Sequence, residues 1–143
     1  MFDTIKTKNG WAEIFAILKN PQPPKGDLLF QLFINAFYMP KIKELKSKEL
    51  VTGITGYYAH GDCMTFGLVE LDAGSSVPLH QHVQEQITYI IEGELDMEIG
   101  GQSCLLSDGM YHVIPSNTLH SAIARTACRL IDTFSPVRED YKQ

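Results

Sequence analysis

The chain has 143 residues, 44% of them apolar, with 12 Lys plus Arg, 17 Asp plus Glu and 3 Cys. This is the profile of one globular domain, long enough to bury a core without disulfides or a structural metal, so that any metal it binds is functional. The net charge of −5 is uneven: residues 1–48 hold eight Lys against four acids, and the remainder holds four basic residues against thirteen acids.

In chain order, Trp11, Ile14, Phe15 and Leu18 fall at helix spacing and end in the loop Asn20-Pro21-Gln22-Pro23-Pro24-Lys25-Gly26. Asp27 can cap a second helix with Gln31, Asn35 and Tyr38 on one stripe and Pro40 at its end, although an apolar run of this length also suits a buried strand. This nearly all-apolar helix needs cover from the main body or a second subunit. A homodimer is among the expectations. Lys41, Lys43, Lys46 and Lys48 form a basic stretch. With no aromatic-basic interleaving or finger spacing it reads as a solvated face, and no nucleic-acid partner is expected.

From about residue 50 the pattern becomes short period-two segments broken by glycine turns. Glu94, Asp96 and Glu98 alternate with Leu95, Met97 and Ile99, and Gly100-Gly101 turns into Cys104-Leu105-Leu106, a hairpin with one wet face. Further strands are expected at 64–71, 86–91, 111–114, 121–125 and 128–134, which makes an all-β antiparallel sandwich or barrel. The boundary between an N-terminal extension and the barrel falls at residues 48 and 49.

Cys63, Cys104 and Cys128 are odd in number, far apart and outside any Cys-x-x-Cys pair, so they read as small core residues of a protein from a reducing cytoplasm. The N-terminus does not read as a signal peptide, and the apolar run 28–39 is too short to span a bilayer. A soluble cytoplasmic protein without a membrane partner is expected.

His80 and His82 stand at i and i+2 near a strand end, Gln86 follows a short turn, and His120 lies in a segment that suits the neighbouring strand. Such a donor set suits a divalent first-row transition metal, against the alternative of polar barrel histidines that bind none. Glu85 points away from Gln86, His60 precedes a turn and reads as exposed, and His112 reads as a packed neighbour of the site. Asp132 and Phe134 share a strand face ahead of Pro136 and Arg138, offering a proton donor, a stacking surface and a carboxylate clamp, or else a rim salt bridge between Asp132 and Arg138.

These motifs resemble the cupin superfamily. Its first motif is matched by Gly74, His80, His82, Gln86 and Gly93, with Gln in the place of Glu, and its second by Gly109, Pro115, Asn117 and His120, with Asn in the place of Gly and Ala124 in the place of the final Asn. Asn tolerates the left-handed turn that Gly serves. The runs Leu79–Tyr89 and Ile114–His120, and above all Ile131-Asp132-Thr133-Phe134-Ser135-Pro136-Val137-Arg138, are similar to the KdgF-type pectin-degradation cupins over about residues 50–141. The resemblance implies a single antiparallel jelly-roll barrel; the helical N-terminal extension is expected from spacing and lies outside the resemblance.

It further implies an enzyme that opens unsaturated monouronates, small sugar acids from pectin or alginate breakdown, to the 4-deoxy-5-keto form. The implied metal ligands are His80, His82, Gln86 and His120, and the implied catalytic residues are Asp132, Phe134 and Arg138. Three histidines and a glutamine accept Mn, Fe, Co, Ni or Zn. The rival readings are a metal-dependent cupin dioxygenase and a sensor that binds a sugar or metal without turnover.

Overall fold

The computed structural model describes residues 39–143. The helices expected within 10–38 lie outside the described residues. A short 3-10 turn, Ile42–Glu44, precedes ten strands. These are β1 (Lys48–Val51), β2 (Ile54–His60), β3 (Thr65–Leu71), β4 (Ser76–His80), β5 (Glu85–Glu92), β6 (Leu95–Ile99), β7 (Gln102–Leu106), β8 (Tyr111–Ile114), β9 (His120–Ala124) and β10 (Cys128–Ser135). Six form one sheet in the order β1-β2-β3-β10-β5-β8, and four form a second, β4-β9-β6-β7, with antiparallel pairing throughout. The described residues fold as the all-β antiparallel pair of sheets that the sequence pattern predicts.

Alternation decides which face each strand buries. On β5, Gln86, Thr88 and Ile90 point inward while Glu85, Ile87 and Tyr89 point out. The hairpin of β6 and β7 turns through Gly100 and Gly101, both at positive φ, the backbone that a two-residue hairpin turn demands. Asn117 is the one non-glycine at positive φ among the described residues, φ 59, so it serves the turn as the sequence expects.

The interior changes character along the strands. Ile54, Val69, Leu71, Ile90, Leu95, Met97, Leu106 and Leu130 belong to the apolar core. Towards the other end the same faces carry polar groups: Gln86 and Thr88 follow Ile90 on β5, and Asp132 follows Leu130 on β10. The buried polar groups therefore gather at one end of the barrel, where the candidate site lies.

β1 and β2 precede the first strand expected from periodicity. β2 reads Ile-Thr-Gly-Tyr-Tyr-Ala-His, where Gly56 and the paired tyrosines mask the alternation. Here two glycines are required by contact: a Cβ at Gly56 would run into the hydroxyl and ring edge of Tyr58, and one at Gly67 would meet the ring at 2.5 Å. Cys128 is buried and Cys104 partly so, but Cys63 is exposed, which corrects its reading as a core residue; it follows the Gly61-Asp62 turn, where no strand face carries it inward. His60 is half-buried rather than exposed, because its Nδ1 meets Thr65 Oγ1 at 2.9 Å across the register of β2 and β3.

Candidate metal centre

Four donor side chains converge from three strands and a loop. β4 ends at His80, Gln86 is the second residue of β5, and His120 opens β9 directly opposite His80. His82 corrects one expectation, since the strand stops at His80 and His82 reaches the site from the following loop. One ligating nitrogen from each of His80, His82 and His120 lies within 4.8 Å of the others, and the His80 and His120 rings are 4.2 Å apart. His112 is half-buried opposite Thr88 and stands outside this cluster, and Glu85 is exposed on the outer face.

Each histidine turns Nδ1 to a main-chain carbonyl: Pro78 at 2.8 Å, Gln84 at 2.9 Å and Thr118 at 2.8 Å for His80, His82 and His120. A carbonyl only accepts, so Nδ1 carries the proton and Nε2 of a neutral ring is left as a bare lone pair. Burial holds His82 and His120 below the ordinary histidine range, His120 down to about 4, and the nearby Arg138 charge acts in the same direction. These two rings are neutral at pH 7.

Gln86 is oriented by its far end. Its Nε2 donates to Thr88 Oγ1 and to Asp132 Oδ1, each at 2.9 Å, which leaves Oε1 facing His82 Nε2 at 3.0 Å. Two lone pairs at that separation repel unless a cation sits against both. Nε2 of His120 is likewise buried without a partner. An orphaned buried acceptor costs roughly 1–3 kcal/mol. A divalent cation satisfies all of these atoms, so the residues present fit a metal, and the second-row hydrogen bonds already hold the rings in the ligating tautomer.

Asp132 and Phe134 project from β10 beside this cluster. Asp132 stands opposite Thr88, whose hydroxyl donates to its Oδ1 at 2.6 Å, and Phe134 stands opposite Gln86 and meets the His82 ring edge-on at 5.6 Å. Burial pushes the Asp132 carboxyl up to about 6, against the lowering pull of the Thr88 and Gln86 hydrogen bonds. Beyond the cis Ser135–Pro136 bond, Arg138 returns to the barrel, its main-chain N–H donating to Thr65 Oγ1 at 3.0 Å. The rim salt bridge to Asp132 does not form; Arg138 pairs instead with Asp140 at 2.8 Å.

A cavity of about 60 Å³ is lined by His80, Gln86, His120, Asp132, Phe134 and Arg138 together with core residues. That volume holds an ion and a few waters, so any larger ligand must lie partly in its mouth. Thr88, Tyr141 and Asp140 join the site without having been singled out in the sequence. Thr88 was reachable by pattern, being two residues beyond Gln86 on the same face; the other two lie in a short C-terminal 3-10 turn, Glu139–Tyr141, which has no periodic signature.

Residues 67–134 match the Cupin domain family model. The pectin degradation protein KdgF of Dickeya dadantii (strain 3937) is 33% identical over 64 residues, which span 43% of this chain and 58% of that protein, under two thirds of its length. The structure of KdgF from Halomonas sp. superposes with a TM-score of 0.66 at 32% identity, covering 70% of this chain and 94% of that one. An RmlC-like cupin from Shewanella frigidimarina gives 0.68 at 26% identity, covering 73% and 95%. The chain belongs to the cupin family and, within it, resembles KdgF.

Proposed function

We propose that this cupin opens unsaturated monouronates to the open-chain 4-deoxy-5-keto uronate, with a divalent metal held by His80, His82, Gln86 and His120. The observation that carries the reading is the placement of Asp132, a half-buried residue whose desolvated carboxyl has a pKa raised to about 6, beside a donor cluster that fits a cation. The likeness to KdgF supports it.

The substrate is a cyclic enol ether with a hydroxyl on its anomeric carbon and a carboxylate on the alkene. Removing the anomeric hydroxyl proton makes the aldehyde and breaks the bond to the ring oxygen, leaving that oxygen as an enolate. Protonation at the adjacent alkene carbon then gives the ketone. No electrons are exchanged with an outside partner. A bound divalent ion supplies positive charge for the oxygens that become negative.

Asp132 takes the hydroxyl proton and returns it to carbon. A carboxyl with a pKa near 6 does both at neutral pH, since it is ionised at rest and still a usable acid once protonated. Both of its described hydrogen bonds fall on Oδ1. Arg138, buried and cationic, fixes the substrate carboxylate, and Phe134 gives the ring a flat apolar surface. Incubation with monouronates from a pectate-lyase or alginate-lyase digest, followed by proton NMR, tests this reading: the vinyl proton is replaced by a methylene pair faster than in buffer. A spectrum that changes only at the spontaneous rate refutes it.

A further inference from the structure

Arg138 is an unusual anion receptor because most of its guanidinium is already engaged. Its Nε donates to Asp140 Oδ1 at 3.0 Å and its Nη2 to Asp140 Oδ2 at 2.8 Å, a bidentate pair. The guanidinium carbon also lies 3.9 Å from the Tyr141 ring centre and 5.0 Å from that of Phe134, both within cation–π range. Tyr58 packs behind Tyr141 at 4.5 Å, in the space that Gly56 and Gly67 leave open. One nitrogen, Nη1, is left buried with no partner.

The two members of this ion pair face different surroundings. Arg138 is 7% exposed and lines the cavity, whereas the Asp140 side chain is 61% exposed. The turn that carries Asp140 is tied down independently: Lys48 Nζ donates to the Asp140 carbonyl, Gln84 Nε2 donates to the Val137 carbonyl, and Arg138 N donates to Thr65. The Arg138 hydrogen bond holds the Asp140 carboxyl below its ordinary range, so it stays ionised at neutral pH.

We infer that Asp140 is a positioning residue for substrate binding: with Tyr141 it locks the outer edge of the Arg138 guanidinium and presents Nη1 to the carboxylate of a sugar acid in the cavity. This rests on the reading of Arg138 as the carboxylate clamp. An unlocked arginine must give up rotamer freedom on each binding event, whereas this one has given it up on folding. The alternative role for the same contact is competition, in which Asp140 occupies the arginine and must be displaced.

The two roles predict opposite signs. In metal-loaded protein, Asp140→Asn is expected to raise KM for the unsaturated monouronate about tenfold, the equivalent of one well-ordered charged hydrogen bond, with kcat within about twofold. Metal content stays unchanged and Asp140→Glu recovers part of the loss. Titration calorimetry with galacturonate, a saturated acid that is not turned over, and with neutral galactose gives a readout independent of turnover: weakening by Asp140→Asn is confined to the acid. An unchanged or lowered KM, or equal weakening of acid and neutral sugar, overturns the inference. Wild-type protein that binds galacturonate but leaves the monouronate untouched refutes the proposed reaction and leaves the positioning role standing; protein that binds neither overturns both.

Discussion

Gln86 joins the donor cluster to Asp132: its Nε2 donates to the Asp132 carboxylate at 2.9 Å while its Oε1 faces His82 at 3.0 Å. A glutamate at this position has no N–H to give. Gln86→Glu is therefore expected to hold a divalent ion more tightly, through its charge, and to set a second carboxylate against Asp132. Like charges at that distance push the apparent titration of the pair upward. The acid limb of the pH–rate profile moves to higher pH, and activity at pH 7 falls by about tenfold, judged from the loss of ionised base. An unchanged limb contradicts this link.

Asp132→Asn separates function from stability. The amide oxygen still accepts from Thr88 and Gln86, so the fold and the metal are retained, while activity falls by roughly 10²–10⁴ with loss of the proton carrier. Arg138→Ala loses activity in the same way, through the substrate carboxylate. For stability, a carboxyl whose folded pKa is raised from 3.8 to about 6 favours folding only while protonated. Its penalty grows as pH rises from about 4 to about 6 and then stays level, at an order of 3 kcal/mol. In metal-free protein the asparagine variant is accordingly more stable at pH 7, with a smaller advantage at pH 4, as thermal melts at both values will show.

The histidine cluster makes a different prediction. In wild-type protein an added divalent ion raises Tm, by about 2.7 kcal/mol of stabilisation at one hundred times its Kd. His80→Ala and His120→Ala remove both the rise in Tm and the activity. Because burial holds His82 and His120 low, protons compete weakly, so metal retention by elemental analysis persists below pH 6 as activity declines with Asp132.

Tyr58 and its two glycines test packing. Gly67→Ala places a methyl 2.5 Å from the Tyr58 ring and is expected to cost roughly 1–3 kcal/mol in denaturant unfolding. Tyr58→Phe removes a buried hydroxyl that has no partner, and stability is unchanged or gains about 1 kcal/mol.

The barrel, and which side chains share its inner face, were legible from spacing, whereas the ligand set and the roles given to Asp132, Phe134 and Arg138 came from the resemblance to the cupins. Alternation on β5 and β10 determines that Gln86, Asp132 and Phe134 face inward, and Asn117 declares its turn because Asn is among the few residue types besides glycine that tolerate positive φ. What stayed hidden depends on contacts between distant strands. Tyr58 reads as an ordinary strand aromatic until Gly67 of the next strand is seen beneath it. Arg138 stands six residues after Asp132, a spacing that suits a rim pair, yet the strand ends at Ser135, the chain bends at Pro136, and Arg138 pairs with Asp140 instead. Cys63 sits where no strand periodicity sets its direction.

The most direct test is the initial rate at which a lyase-generated unsaturated monouronate loses its conjugated alkene absorbance with metal-loaded protein, compared with buffer and with Asp132→Asn. Wild-type protein is expected to exceed both by at least a hundredfold, the contribution of a positioned acid–base group. A wild-type rate equal to the spontaneous one would contradict the assignment of this cupin as a uronate-opening enzyme.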